Sequence, residues 1–322
     1  MLSTLRTLLL RQRPFRYVGT RMPCNLCSGT DFVVIARRDR WLNPLTNSIC
    51  RRCGLVCLDP MPTEAEVADF YSRKYRRHYD GAAEPTAKHL LRSRRSAELR
   101  FRILEPHLKP GMRILDVGSG SGEFLARLKE AGYEAEGVEP DESFARYAER
   151  SYGMKVHAAP LAEVDFGRRK FDLVTSWHSL EHMRDPHQAL TRMHELLAAD
   201  GLAHLVVPDL AEPHKTPMAN FHFAHLHGFT RETFAMLAAK AGFASLDDPQ
   251  WGTGPLFRRL AGPDPGWFRY PAHAERLEAY LHDRTLWRML LSGETWRRFV
   301  RRVRYLVGDR LTLWRAARGR SH

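Results

Sequence analysis

Apolar residues between positions 111 and 265 fall into short continuous runs that alternate with stretches at helical spacing. The run at 114–117 predicts a buried strand, and apolar residues then recur at helical spacing over 123–131. The same alternation predicts further strands ending at 139 and lying at 155–158, 171–176 and 203–207, with helices after 141 and over 186–197. Strands that alternate with helices indicate a parallel sheet covered on both faces.

Two further apolar stretches, 244–246 and 256–260, are expected to close this sheet. The predicted fold class is therefore α/β, with a Rossmann-like sheet of seven strands. Ligands of such sheets bind beyond the carboxyl ends of the strands, where the strand order reverses. The ends of the first, second and fourth strands and the 159–161 loop are therefore expected along one edge.

The segments on either side of this unit have different patterns. Thr63 and Glu66 form a capping box that predicts a helix, in which Tyr71, Tyr75 and Tyr79 stand four apart and share a face. A second, basic helix is expected from about 89 to 107. The predicted organisation is a cysteine module at 1–60, a helical linker or lid at 61–110, the α/β domain at 111–265 and a basic helical extension at 266–322.

The formal net charge of +13 lies in the flanks, because residues 111–265 hold more acidic than basic side chains. Basic flanks suit nucleic acid, anionic lipid or an acidic substrate, and a solvated arginine-rich surface explains them equally well. No run of 18 apolar residues predicts a membrane span. Residues 1–13 are basic and amphipathic, as organelle presequences are, but we interpret them as the first helix of a cytoplasmic protein.

Three glycines follow the first predicted strand at alternating positions: Gly118, Gly120 and Gly122. Glycine accepts a positive φ and has no Cβ, so a nucleotide-like ligand can approach this backbone beside the free N–H groups of the next helix. The pattern departs from the G-x-G-x-x-G of dinucleotide-binding folds, so NAD fits poorly. Asp116 precedes the turn, and Glu139 at the end of the second strand can accept hydrogen bonds from both hydroxyls of a ribose.

All five cysteines precede residue 60. Cys24 with Cys27 and Cys50 with Cys53 form two C-x-x-C pairs separated by 22 residues, a spacing typical of a four-thiolate zinc site. Four thiolates close the coordination sphere, so the predicted Zn²⁺ is structural. Cys57 is left over, and a disulfide or inert buried thiols are the alternatives.

Histidines and a glutamate follow the fourth strand at His178, Glu181 and His182. If this segment is helical the two histidines share a face, and either imidazole can take a proton from a substrate hydroxyl near neutral pH. The Glu-His pair also suits a divalent cation, although two ligands are too few to assert one. Histidines that only order a loop are an equally good explanation.

Three more histidines, His222, His225 and His227, lie between the fifth strand and the next helix. Their position predicts a lid over the active site. Their spacing is also that of metal ligands, but the cluster contains no carboxylate or cysteine, so a metal is the less favoured interpretation.

The cysteine pairs, the glycine turn and the acidic strand end together resemble class I methyltransferases with an amino-terminal zinc module, among them bacterial sugar methyltransferases. The resemblance covers roughly residues 22–262. It implies a class I sheet, S-adenosyl-L-methionine as cofactor and structural Zn²⁺, with the methionine portion on the glycines, the ribose on Glu139 and the adenine on Pro160 and Leu161. The implied cofactor-binding residues are Asp116, Gly118, Ser119, Gly120, Gly122, Glu139, Pro140, Pro160, Leu161, Ser176, Trp177 and His178.

Residues 222–230 are similar to the catalytic loop of sugar C-methyltransferases, which has the form Tyr-x-Glu-His-Leu-x-x-Phe-Ser. The match gives His225 the position of the catalytic base, with His182 as the other candidate. Ala224 replaces the glutamate, and 266–322 is too short for the large carboxyl-terminal domain of those enzymes. O-methylation of a small hydroxylated, sugar-like acceptor is therefore preferred.

Two other functions stay open. One is an RNA-modifying methyltransferase that grips phosphates with its zinc module and basic flanks, although no recognised RNA-binding motif is present. The other is a protein that binds the cofactor without catalysis. Nucleic acid is thus a less favoured partner than a small molecule, and the basic flanks also allow peripheral membrane contact.

Overall fold

Two β-sheets and seven α-helices make up the described part of the chain. The computed structural model describes residues 15–71, 84–212, 217–246 and 255–283. In chain order the elements are β1 (Phe32–Arg38), β2 (Pro44–Cys50), β3 (Val56–Leu58), α1 (Glu64–Phe70), α2 (Ala87–Leu104), β4 (Arg113–Val117), α3 (Glu123–Glu130), β5 (Glu134–Val138), α4 (Glu142–Tyr152), β6 (Lys155–His157), β7 (Phe171–Trp177), α5 (Pro186–Leu196), β8 (Leu197–Val206), β9 (His227–Gly228), α6 (Arg231–Lys240), β10 (Phe243–Ser245), β11 (Leu256–Arg259) and α7 (His273–Asp283).

The larger sheet has seven strands in the order β10, β11, β8, β7, β4, β5, β6. Strands β8, β7, β4, β5 and β6 are parallel, whereas β11 is antiparallel to both of its neighbours. This confirms the predicted Rossmann-like sheet, including its two closing strands. The strand order reverses between β4 and β7, which is where a ligand of an open α/β sheet is expected.

Strand β8 begins earlier than the sequence predicts. It follows α5 without a loop, and Leu197 pairs with Phe171. The register then shifts before Leu202 pairs with Leu173. The residues between Leu197 and Leu202, among them the turn-like Gly201, therefore lie in an irregular part of the strand and do not form a separate turn.

The smaller sheet is antiparallel and has the order β1, β2, β3, β9. Its first three strands come from the cysteine module, but β9 comes from the loop that follows β8. Cys57 pairs with His227 across β3 and β9. Two parts of the chain that are far apart in sequence therefore share one sheet, which the sequence did not predict.

Helix α2 packs against α3 and against the middle of the larger sheet, near β4. Ala97, Phe101 and Leu104 are buried on one of its faces, in a cluster that includes Ile114 of β4 and Phe124 of α3. Thr86 caps the amino end by accepting a hydrogen bond from the backbone N–H of His89. The basic helix predicted at 89–107 thus runs from 87 to 104 and continues as a short 3₁₀ turn, Glu105–His107.

Helix α7 is the helix within residues 266–283, the described part of the predicted basic extension. Leu277 packs against Ile49, Val56 and Leu210, which joins this helix to the smaller sheet. Among the described residues, no helix is both long and apolar enough to cross a lipid bilayer. The predicted helix at 1–13, Tyr75 and Tyr79, and the remainder of the extension lie outside the described residues.

Candidate active site

The glycine turn joins β4 to α3, and its three glycines all have positive φ. A Cβ on Gly118 would lie 1.9 Å from the Ser179 hydroxyl, and one on Gly122 would lie 2.5 Å from the Cβ of Ala148. A Cβ on Gly120 would meet nothing within 4 Å. Two of the glycines are therefore needed for packing, and Gly120 borders open space of the kind that a cofactor's methionine end requires.

Glu139 follows β5 and lies against the glycine turn. Its Oε2 accepts a hydrogen bond from the backbone N–H of Gly120 at 2.9 Å, and its Oε1 accepts one from that of Asp141 at 3.0 Å. The side chain is 8% exposed. The carboxylate and the glycine turn are thus in direct contact, so a ligand on the turn lies within reach of Glu139.

Asp116 is engaged in a buried ion pair. Its Oδ1 is 2.5 Å from Nη2 of Arg100 on α2, and it accepts a hydrogen bond from the Thr175 hydroxyl at 2.6 Å. The Arg100 guanidinium also lies 3.7 Å from the centre of the Phe124 ring. Because the carboxylate is fully buried with these partners, a cofactor contact at this position would have to come from the backbone of Asp116.

The other predicted cofactor residues lie at or just after the carboxyl ends of β4 to β7. Ser119 and Ser176 are buried, and within the described residues neither hydroxyl has a hydrogen-bond partner. Leu161 is buried in a 3₁₀ turn. The remaining side chains are accessible to different degrees: Pro140, Pro160 and His178 are exposed and Trp177 is half-buried.

Glu136 on β5 is a site-supporting residue that the sequence reasoning missed. It is 2.8 Å from both Lys155 and His157 of β6, and it also pairs with Arg169. Burial raises the pKa of Glu136, but hydrogen bonds from Lys155 and His157 outweigh this and lower it overall. These contacts fix the strand end before the 159–161 loop. The sequence signal that could have indicated this group is an acidic residue at an inward position of a predicted strand, because a buried carboxylate needs a cationic partner.

A second group of polar side chains surrounds the buried carboxylate of Glu181. Its Oε1 is 3.6 Å from Nδ1 of His178, 3.8 Å from Nε2 of His182 and 4.0 Å from Nε2 of His225. These distances exceed hydrogen-bonding range, and within the described residues neither Glu181 oxygen has a hydrogen-bond partner. We call His178, Glu181, His182 and His225 the Glu181 cluster. The cluster adjoins the glycine turn, because Ser179 contacts Gly118.

Two chain segments build the Glu181 cluster. A 3₁₀ turn, Leu180–His182, follows β7, and the loop of residues 221–229 packs onto it. The Nδ1 of His182 donates to the carbonyl oxygen of Ala224 at 2.6 Å, and the N–H of Leu226 donates to that of Glu181 at 2.9 Å. His178 and His182 do not share the face of an α-helix, because His182 lies in this 3₁₀ turn and His178 precedes it.

Protonation in the cluster follows from burial. Burial, together with a smaller effect of nearby His182, lowers the pKa of His225 to about 3, and Glu181 partly opposes the change. Burial raises the pKa of Glu181, but His182, His178 and His225 outweigh this and lower it overall. At neutral pH the cluster therefore presents an ionised carboxylate and a neutral His225 imidazole whose nitrogen lone pair is available.

The other two histidines of the loop have different environments. The Nε2 of His227 is 3.1 Å from the side-chain oxygen of Asn25, and its ring is 1% exposed. The His222 ring contacts that of His225, with centroids 3.8 Å apart and the ring planes tilted by 44°. The three histidines at metal-like spacing do not converge on one point; His225 meets Glu181 and His182 instead.

The four predicted zinc ligands are brought together. The sulfur atoms of Cys24, Cys27, Cys50 and Cys53 all lie within 4.8 Å of one another, and two pairs are 3.5 Å apart. Tetrahedral zinc with bonds of about 2.3 Å places sulfur atoms about 3.8 Å apart, so the donor set fits Zn²⁺. Cys57 is buried outside this group, among Leu45, Leu58 and other apolar side chains. Burial raises its pKa, which keeps the thiol protonated.

Residues 88–247, about half of the chain, match the methyltransferase domain family. Two of the curated relatives align with part of the chain. A tRNA U34 carboxymethyltransferase of Syntrophotalea carbinolica is 37% identical over 33% of this chain and 35% of its own length. A ubiquinone biosynthesis O-methyltransferase of a Ruegeria species is 34% identical over 29% of this chain and 39% of its own. The chain thus spans less than two thirds of either protein.

Among solved structures, the chain is similar to a 1,6-didemethyltoxoflavin-N1-methyltransferase of Burkholderia thailandensis with bound S-adenosylhomocysteine. The identity is 20%, the TM-score is 0.48, and the match covers 66% of this chain and 96% of that one.

Proposed function

Because residues 88–247 form a class I, S-adenosylmethionine-dependent methyltransferase domain, we propose that this chain methylates a small hydroxylated, sugar-like acceptor. The observation that carries the proposal is the position of the Glu181 cluster. Ser179, which immediately precedes the 3₁₀ turn that carries Glu181 and His182, contacts Gly118 of the glycine turn. Groups able to accept a proton are therefore next to the site proposed for the methyl donor.

The proposed cofactor site lies along the carboxyl ends of β4, β5, β6 and β7. Gly118, Ser119, Gly120 and Gly122 face the methionine portion, and Glu139 accepts hydrogen bonds from the ribose once its contact with Gly120 is released. Pro140, Pro160 and Leu161 lie along the adenine, and Ser176, Trp177 and His178 complete the edge. Asp116 holds α2 in place through Arg100. The bound cofactor supplies a methyl group that its sulfonium has already activated.

The chain's remaining task is to align the acceptor and take its proton. We assign proton acceptance to His225. His182 is the other candidate, but only its Nε2 can accept a proton, because its Nδ1 donates a hydrogen bond to the carbonyl oxygen of Ala224. The acceptor O–H bond breaks and its proton passes to the imidazole. The oxygen bonds the methyl carbon, and the electron pair of the broken C–S bond stays on sulfur. Glu181 stabilises the imidazolium, because its carboxylate lies 3.8–4.0 Å away.

In this proposal the cysteine module contributes structure. Structural Zn²⁺ on Cys24, Cys27, Cys50 and Cys53 fixes the start of the smaller sheet. That sheet holds β9 against β3, and β9 directly follows the segment with His225. The module thus supports the catalytic loop and leaves the chemistry to the larger sheet.

RNA methylation is the second candidate, because the flanks are basic and one relative is a tRNA-modifying enzyme. The test incubates the full chain with methyl-labelled S-adenosylmethionine and, separately, with nucleotide sugars, free sugars and total tRNA. We expect label in a small-molecule product. Label in tRNA alone would favour the second candidate. Cofactor binding by calorimetry without transfer to any acceptor would favour a non-catalytic binding protein.

A further inference from the structure

We propose that Glu181, His182 and His225 form a binding site for one divalent transition-metal ion, which holds and acidifies the acceptor hydroxyl. The inference rests on the proposed methyl transfer for its chemical role, but the site itself is argued from the geometry of the cluster. One ring nitrogen each from His182 and His225 and one oxygen of Glu181 lie within 4.8 Å of one another.

The first observation is the state of the Glu181 carboxylate. The residue is 1% exposed, and within the described residues neither oxygen accepts a hydrogen bond. A buried carboxylate without hydrogen bonds or a cation is costly, by several kcal/mol. The nearest polar groups are imidazole nitrogens 3.6–4.0 Å away, beyond hydrogen-bonding range. A cation held between the carboxylate and the imidazole nitrogens would compensate this charge more completely than the imidazoles do at these distances.

The second observation fixes the tautomer of His182. A carbonyl oxygen only accepts, so Nδ1 of His182 must carry the hydrogen that it donates to Ala224. In the neutral ring, Nε2 then carries a lone pair, and it points toward Glu181 Oε1 at 3.8 Å. Two electron-rich atoms that face each other are the arrangement a cation stabilises. A ring N–H donated to a backbone carbonyl is also how metal-binding histidines are commonly oriented.

The spacing suits such an ion after a small adjustment. Bonds of about 2.1 Å in a tetrahedral site place neighbouring ligand atoms about 3.4 Å apart. The Glu181 to His182 and Glu181 to His225 separations are 3.8 and 4.0 Å. Each histidine therefore has to approach by roughly half an ångström, which a side-chain rotation can supply.

The donor set indicates the class of metal. Two imidazoles and one carboxylate favour Zn²⁺, Fe²⁺, Co²⁺ or Mn²⁺, whereas Mg²⁺ and Ca²⁺ prefer oxygen ligands alone. Three protein ligands leave a coordination position for an oxygen of the acceptor. The four-thiolate site is different, because its sphere is closed.

The ion would change where the acceptor proton goes. A hydroxyl on the metal is more acidic, as metal-bound water is. Its O–H bond breaks and the proton passes through His178, which is 46% exposed, to solvent. The oxygen then bonds the methyl carbon, and the C–S electron pair stays on sulfur. With the ion bound, His225 is a ligand, and His178 replaces it as the proton acceptor of the metal-free mechanism, because metal binding and proton acceptance at His225 use the same lone pair.

The test counts metal ions on the full chain. Protein holding zinc at the cysteines is treated with a mild chelator, titrated with Co²⁺ by calorimetry, and then examined by elemental analysis and visible spectroscopy. We expect one Co²⁺ per chain in addition to the thiolate-bound zinc, with d–d bands and without the charge-transfer bands of thiolate ligands. Glu181→Gln and His225→Ala should each weaken this binding at least tenfold.

His282→Asn is the matched control, because His282 also lies near a carboxylate, 3.9 Å from Glu278, but its side chain is exposed on the surface of α7. It should bind Co²⁺ as the unmodified chain does. Thermal unfolding checks that Glu181→Gln, which is nearly isosteric, remains folded. Unchanged Co²⁺ affinity in both cluster variants would overturn the inference, as would the absence of a second bound ion.

The two proposals fail in distinguishable ways. If methyl transfer proceeds after chelation and no second ion binds, the cluster is a histidine–carboxylate ion pair and the proposed function stands without the metal. If the ion binds at the cluster but no acceptor is methylated, the metal site stands and the proposed function fails.

Discussion

The imidazole Nε2 of His227 lies 3.1 Å from the side-chain oxygen of Asn25, and 202 residues of sequence separate the two. Asn25 stands between the first two cysteines, and His227 is two positions after His225. The contact is reinforced by the pairing of Cys57 with His227 across the smaller sheet. The cysteine module and the loop with His225 are therefore one structural unit.

The first prediction concerns zinc. The purified, reduced chain should contain one Zn²⁺, and Cys53→Ser should lose it because three thiolates do not close the sphere. Cys57→Ser is the control and should keep the metal, since Cys57 lies outside the four-sulfur group. Elemental analysis and thermal unfolding measure both. Zinc loss that leaves the unfolding temperature unchanged would contradict a structural role.

The second prediction concerns the glycine turn. Gly120→Val should abolish binding of S-adenosylmethionine in calorimetry, because its side chain enters open space at the proposed cofactor position. Gly132→Val is a matched control: both glycines have positive φ, and a Cβ on either meets nothing within 4 Å. The backbone strain is therefore comparable, but Gly132 lies before β5, at the amino-terminal ends of the parallel strands, whereas Gly120 lies at their carboxyl ends. Equal affinity in the two variants would place the cofactor elsewhere.

The third prediction concerns Glu139. Glu139→Ala should lose about 1.5–3 kcal/mol of cofactor binding, the usual contribution of hydrogen bonds to a charged group. Glu142→Ala removes a carboxylate from the start of the next helix and should leave the affinity unchanged. Calorimetric titration of both variants measures the difference. A loss at Glu139 below a few tenths of a kcal/mol would mean that the ribose binds another group.

The fourth prediction concerns the catalytic histidines. His225→Ala should reduce kcat by about 10²–10⁴-fold, as loss of a proton acceptor does, with unchanged cofactor affinity. His182→Ala should lower kcat too and also affect cofactor binding, because His182 holds Ala224 of the catalytic loop and follows the strand at the cofactor edge. Steady-state kinetics with the identified acceptor, beside cofactor calorimetry, tests both. Near-normal turnover in His225→Ala would transfer the role to His182.

The fifth prediction concerns pH and stability at His204 on β8. Burial lowers its pKa to about 3, with smaller effects of Arg100 and His107. The unfolded chain protonates this ring near pH 6.5 and the folded chain only near pH 3. The unfolded state thus binds more protons between these values, and the free energy of unfolding falls as the pH drops through this window.

His204→Phe should make that fall less steep by up to about 1.4 kcal/mol per pH unit. Neither ring nitrogen of His204 has a hydrogen-bond partner among the described residues, so little else is lost. Urea unfolding at pH 7 and pH 5 measures the change. His282→Asn, on an exposed histidine, should retain the full slope. An unchanged slope in His204→Phe would mean that the ring already titrates near its ordinary pKa in the folded chain.

Local patterns were enough for much of the fold. Short apolar runs such as 114–117 predicted the parallel strands, and apolar residues at helical spacing predicted the helices between them. Both patterns are local, because the buried face of a strand or helix is set by residues close in sequence. The glycine turn was recognisable for the same reason, since positive φ is a property of single residues. The C-x-x-C spacing likewise predicted a four-sulfur group, because each pair is formed by one tight turn.

Contacts between distant segments were decided only by the tertiary structure. The sequence offered Asp116 as a cofactor residue, but the packing of α2 places Arg100 against its carboxylate. It offered His225 and His182 as separate candidates, but the path of the 221–229 loop brings both to Glu181. Side-chain periodicity records which face of an element is buried, and it carries no information on which charged group from another element meets that face.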